Sequence, residues 1–169
     1  AFYNHNGIIG AIGAIDGTYK PIVTTELAYL NRKGFTSTNN QIVVSAFGKI
    51  WSCNTGTPGS VSDLTMYEIS NFRLWAEQSL PRFGHRFVMG YKIHYYILGD
   101  GIYRPRSVLI APYDETQATP DERTDHYAYN YGHSSCRIRV EQVIGNLKGK
   151  FKVLSSPQKY GRTTEATVE

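Results

Sequence analysis

The sequence predicts an α/β domain, and three observations carry that expectation. "IIGAIGAID" (8–16) is apolar on both faces, as a buried strand is. "QIVVSAF" (41–47) and "GKIWSCN" (48–54) meet at a glycine turn, the pattern of a hairpin. Two long segments, 60–80 and 132–150, repeat apolar residues at helical spacing. Strands interleaved with helices in this way make a sheet with helices packed on it.

The elements follow in order. The first strand ends in Asp16, ahead of Gly17 and Thr18, and the hairpin follows at 41–54. "TGTPGS" (55–60) is a loop, and Ser60 or Ser62 is a suitable N-cap for the first helix. That helix places Val61, Leu64, Ile69, Phe72 and Trp75 on one side, and Pro81 stops it. "HYYILGD" (94–100) is a fourth strand, again ending in an acid, and "SVLIAPY" (107–113) is a short fifth. Thr119-Pro120-Asp121-Glu122 reads as a helix start within a polar loop. Val140, Val143, Ile144 and Leu147 form the stripe of the last helix. One domain over residues 1–156 and a loose tail over 157–169 are expected.

Composition narrows the classes. A chain of 169 residues can bury one core, and 41% apolar against 19% charged residues is not a disordered mixture. No apolar run is long enough for a membrane helix. "AFYNHNG" lacks the basic start of a signal peptide, and the closeness of the first strand to residue 1 suggests a fragment of something longer. Cys53 and Cys136 form no CxxC pair, which fits a reducing compartment and argues against a zinc site. The net charge of +4 is concentrated late. Arg137, Arg139, Lys148, Lys150, Lys152, Lys159 and Arg162 stand against Glu141 alone, so this stretch is a phosphate-facing surface or a solvated helix face.

The acids raise the chemical question. Asp16 and Asp100 each end an expected strand and each precede a glycine, "IDGT" and "GDGI". Glu141 lies beside Val140 in the last helix and so can face inward. Strand ends facing a crevice are where α/β sheets bind ligands. Three carboxylates meeting there would repel one another unless a hard cation such as Mg²⁺ or Mn²⁺ joined them. The plainer alternative is that each aspartate bonds its own turn backbone.

"GAIDGT", "YLNRKGFTSTNNQIV", "GTPGSVSD", "ILGDGIY", "LIAPY" and "YNYGHSSCRIRVEQVIGNLKGKF" follow one another in the order of PIF/Harbinger-type transposases, and the chain resembles that family from about residue 7 to 154. The resemblance implies a DDE-superfamily nuclease with an RNase H-like fold, a mixed five-stranded sheet flanked by helices. It implies that Asp16, Asp100 and Glu141 hold two divalent ions, Mg²⁺ or Mn²⁺, that cleave phosphodiesters in line, the freed 3′-hydroxyl being available for joining to target DNA. Asp63 matches another acid of the family. It reads as an acid at a helix N-terminus or a support for the site, with a reserve role as the second ligand.

DNA is the implied partner, held by Arg32, Lys33, Arg137, Arg139, Lys148, Lys150 and Lys152. A Myb-like partner protein, a homodimer and a nuclear location are implied with it. Arg137 and Glu141 are four apart on one helix, so Arg137 either pairs with the glutamate, orients it, or touches the scissile phosphate. His133 and Ser134 match an "HS" pair and read as helix-capping residues, and Tyr103 reads as structural. Departures from the family pattern are Tyr19 for a histidine, "GDGIYRP" for "GDSGYP", Gln142 for an arginine and Ser62-Asp63 for "HD". They bring in a second function class, a catalytically silent, domesticated DNA-binding or protein-interaction module.

Overall fold

The structure, a computed structural model, describes residues 8–159. Arg162 and most of the expected tail lie outside the described residues. The chain forms β1 (Ala11–Val23), β2 (Ser37–Ser45), β3 (Ile50–Pro58), α1 (Asp63–Glu68), α2 (Asn71–Phe83), β4 (His85–Val88), β5 (Tyr91–His94), β6 (Tyr96–Leu98), β7 (Leu109–Ile110), α3 (Arg123–Lys150) and β8 (Gln158–Lys159). The main sheet runs β3-β2-β1-β6-β7, and β8 adds to β1 as a sixth strand. It is mixed: β1, β2 and β3 are antiparallel neighbours, whereas β6 and β8 run parallel to β1.

Alternation along the strands sorts the core into two layers. Ala14, Ile42, Val44 and Leu98 pack against Cys136 and Val140 of α3, with Val143, Ile144 and Leu147 beside them. Ile15, Val43 and Ile97 face the other way, onto Tyr67 of α1 and Ala76 and Leu80 of α2. Each fully buried Val, Leu or Ile among them contributes about 1.5–3 kcal/mol. Gly13 permits the tight approach of β2 and β6, since a Cβ there would lie 2.6 Å from the Val44 carbonyl oxygen.

Several expectations are corrected. Asp16 does not end its strand, because β1 stays paired with β2 as far as Pro21 opposite Ser37. The helix expected over 60–80 is two helices. Ser70 ends the first by donating its hydroxyl to the Tyr67 carbonyl, and starts the second by accepting from the Arg73 amide. Pro81 sits inside α2, which continues to Phe83 and stops at Gly84, φ 137°. The last helix begins at Arg123, just after the Thr119–Glu122 start signal, where Glu122 accepts from both the Thr119 amide and its hydroxyl. His133 therefore lies mid-helix and caps nothing; its ring meets the Ile110 carbonyl at 3.2 Å and ties α3 to β7. The strand expected over 94–100 divides between β5 and β6, and that over 107–113 shrinks to β7. β4 and β5 form a separate hairpin turning at Met89 and Gly90, both at positive φ.

Candidate functional site

The site begins with strand register. Ala14 of β1 lies opposite Leu98 of the parallel strand β6. Two residues beyond each of them stand Asp16 and Asp100, so the acids leave adjacent strands at the same level. β6 ends at Leu98 while β1 runs on, and β8 rejoins β1 only at Ile22. The edge of β1 between those strands is a gap at the carboxyl end of a parallel pair, the usual place for a ligand crevice in such sheets.

Strand alternation turns Asp16 toward α3. There Arg137 extends one guanidinium nitrogen, Nη2, 3.2 Å from Asp16 Oδ2 and 3.2 Å from Glu141 Oε1. Arg137 thus joins both acids rather than making only the within-helix pair. Its side chain and that of Asp16 are largely covered, while Glu141 is half exposed. Among the described residues the buried Arg137 Nε has no hydrogen-bond partner. Burial pushes the Asp16 carboxyl up to about 6; Arg137 and the Gly17 amide oppose the rise, and the charges of Asp100 and Glu141 add to it. Asp100 is half-buried and accepts the Ile102 amide at 3.0 Å, a turn made by its own side chain.

Asp63 opens α1 and faces a different neighbour. A Cβ at Gly17 would run into its carboxylate, so the glycine exists there to let Asp63 in. Asn39 donates to Asp63 Oδ1 at 2.7 Å, and Gln41 bridges the Asp63 carbonyl and the Tyr103 hydroxyl at 2.9 Å each. Burial raises the Asp63 carboxyl, the Asn39 bond opposes it, and Asp100 adds to the rise. Burial likewise raises Tyr103, with Asp63, Asp16 and Asp100 contributing. The charge of Asp100 therefore reaches the acids on both sides of the gap. Of the supporting set, Asn39 and Gln41 escape a sequence reading, apart from the polar cluster "TNNQ" written into a strand, whereas Tyr103 was read as structural.

The sequence-predicted basic residues separate. Arg32, Lys33 and Lys148 line one pocket beside Gly17 and Asp63. Arg137 goes to the acids. Arg139 points elsewhere, pairing with Gln142 at 3.2 Å near the β2–β3 turn. Lys150 and Lys152 are exposed at the end of α3 and just beyond it.

The donor chemistry suits a hard divalent ion. Asp16 and Glu141 already share one positive group, and Asp16 bears the charge of Asp100 as well. Among the described residues, however, no three His, Cys, Asp or Glu side chains stand close enough together to hold a metal, for the guanidinium separates Asp16 from Glu141.

Residues 15–168 match the DDE superfamily endonuclease family. The chain belongs to that family. Among curated proteins it is similar to "Putative nuclease HARBI1" of Bos taurus, 29% identical over 156 residues. The same-named proteins of Homo sapiens and Xenopus laevis are 28% and 25% identical over the same length. Each alignment covers 90% of this chain and 40% of the relative. The chain therefore spans well under half the length of these relatives. No solved structure matches it. The Harbinger-type resemblance carried by the motifs is borne out. Membership makes this an endonuclease-type domain at family level. Among the described residues no helix is long and apolar enough to cross a membrane; Cys53 is exposed and Cys136 is buried.

Proposed function

We propose that the chain is the catalytic domain of a metal-dependent DNA nuclease of RNase H-like fold, with Asp16, Asp100 and Glu141 as its metal-holding acids. The observation that carries this reading is that Asp16 and Asp100 each stand two residues beyond the paired Ala14 and Leu98, with Arg137 between Asp16 and Glu141 and in contact with both. Bound by these carboxylates, Mg²⁺ or Mn²⁺, as a pair, would activate the attacking water and stabilise charge on the leaving 3′-oxygen. Arg137 is a positioning residue: it fixes both carboxylates before substrate arrives, and its partnerless Nε is a donor that a phosphate oxygen can satisfy. Asn39 and Gln41 hold Asp63 as a support rather than as the second ligand. Joining of the freed 3′-end to target DNA, a Myb-like partner, a homodimer and a nuclear location belong to the same reading.

A second reading is a catalytically silent module, favoured by the guanidinium that already satisfies Asp16 and Glu141. Plasmid nicking in Mn²⁺ separates the two. The nuclease reading expects nicking by the wild type and none by Asp16→Asn; equal behaviour of the two proteins sinks it.

A further inference from the structure

Beside the acids, on the same open edge of β1, lies a pocket of about 300 Å³, at the small end of ligand-sized cavities. Arg32 and Lys33 reach it from the 31–36 loop, Lys148 from α3, Tyr19 from β1, Phe35 from the loop, and Asp63 from the start of α1. The loop is built rather than loose. Buried Asn31 donates to the Ser37 hydroxyl at 2.7 Å and accepts the Lys33 amide at 2.8 Å, while its own amide donates to the Phe35 carbonyl at 3.0 Å. Gly34 supplies the positive φ of the turn, and the Thr36 hydroxyl donates to the Ile22 carbonyl.

The charges in this pocket are not balanced. Lys148 Nζ donates to the Tyr19 carbonyl at 3.0 Å, a neutral partner. Burial pushes the Lys148 ammonium below its ordinary range and nearby Lys33 pushes it further. Asp63 is the acid in the wall, and its Oδ1 is engaged by Asn39. Three cations against one acid leave room for an anion. Tyr19 and Phe35 meet edge-on, ring centroids 6.2 Å apart at 84°, and form an apolar corner beside those cations. The Phe35 side chain is accessible, at 38% exposure.

We propose that this pocket takes one nucleotide of the bound DNA strand, its phosphate on Arg32, Lys33 and Lys148 and its base against Tyr19 and Phe35. Only Gly17 and Thr18 separate Tyr19 from Asp16, so the nucleotide is a near neighbour of the one to be cut. The inference rests on the nuclease reading for its choice of DNA, and its test runs without metal, so it fails or survives separately from nicking.

The probes are a fluorescein-labelled twelve-nucleotide oligothymidine and an all-abasic oligomer of equal length and charge, measured by anisotropy in metal-free buffer. Wild type is expected to bind the oligothymidine about tenfold more tightly than the abasic oligomer, because one base–aromatic contact is removed. Phe35→Ala should erase that difference and Phe35→Trp restore it. Lys33→Gln and Lys148→Gln should each weaken both oligomers roughly three- to tenfold and lower the salt slope by about 0.7. Lys92→Gln, on the separate β4–β5 hairpin, should change neither. Equal binding of the two oligomers by wild type overturns the proposal, as does a Phe35→Ala loss that is the same for both. Lysine variants with unaltered binding overturn it too. So does polyaspartate of matching charge binding as tightly as oligothymidine, which would mean that the pocket reads charge alone.

Discussion

Asp16–Gly17 and Asp100–Gly101 are the same dipeptide, each after an apolar strand segment, and they lie level on adjacent strands. Physically they differ. Asp16 sits within a strand that continues, is largely covered, and faces a guanidinium from another element. Asp100 follows a strand that has ended and uses its side chain to close a turn. Gly17 is required by the Asp63 carboxylate packed where its Cβ would be, whereas the nearest atom to a Cβ on Gly101 is Pro112 Cγ at 3.9 Å. One sequence signal thus has two causes. A buried charge needs a countercharge, and an exposed turn needs only an acceptor.

The largest effect tests whether the two acids converge in function despite that difference. In Mn²⁺-dependent nicking, Asp16→Asn and Asp100→Asn should each lose at least ~10³-fold, while Asp63→Asn should lose roughly 10–100-fold, as a supporting residue does. If Asp100→Asn nicks like wild type and Asp63→Asn does not, the second ligand has been assigned to the wrong acid.

Proton linkage tests the burial of Asp16 next. Asp16 titrates at about 6 in the folded protein, against an ordinary 3.8. The folded state then holds the proton more tightly than the unfolded state. The stability from Asp16 is fully present below its unfolded pKa and is lost as pH rises through about 6. A difference of two pKa units amounts to about 3 kcal/mol. Metal-free urea denaturation of wild type and Asp16→Asn should show the wild type losing about that much relative to the variant between pH 4 and 7. A flat difference would mean that Arg137 fully offsets the burial of Asp16.

The sequence made much of this legible, but unevenly. The apolar stripe of Val140, Val143, Ile144 and Leu147 places α3 on the sheet, and the β2–β3 hairpin follows from its glycine turn. The start of β2 was hidden because Ser37, Thr38, Asn39 and Asn40 are polar yet buried, as is Gln41, the first residue of the expected strand. Their side-chain bonds to Asn31, Val61, Asp63, Thr18 and Tyr103 exist only after folding. Asp16, Asp100 and Glu141 were nameable one by one through their motifs. That Arg137 stands between two of them was not legible, since an i,i+4 pair with Glu141 accounts for its spacing and nothing local indicates Asp16.

The glycines give a smaller contrast. Gly17→Ala forces its Cβ into the Asp63 carboxylate, which Asn39 holds in place. The expected cost is about 1–3 kcal/mol, read from a lower urea midpoint at unchanged m. Gly101→Ala meets only van der Waals space and should stay within about 0.5 kcal/mol of wild type. Equal costs at the two positions would show that backbone freedom, not room for Asp63, is what both glycines supply.

The smallest effect isolates the turn. Asp100 Oδ1 accepts the Ile102 amide at 3.0 Å in an exposed loop. Removing the acceptor with Asp100→Ala should cost about 0.5–1 kcal/mol, the net worth of one accessible hydrogen bond. Asp100→Asn keeps an acceptor oxygen at the same place and should cost less than half of that. Stability and nicking then move apart: the asparagine variant folds like wild type and cuts like the alanine variant. If asparagine restores nicking along with stability, the Asp100 carboxylate serves only its turn, and the resemblance between the two dipeptides ends at the backbone.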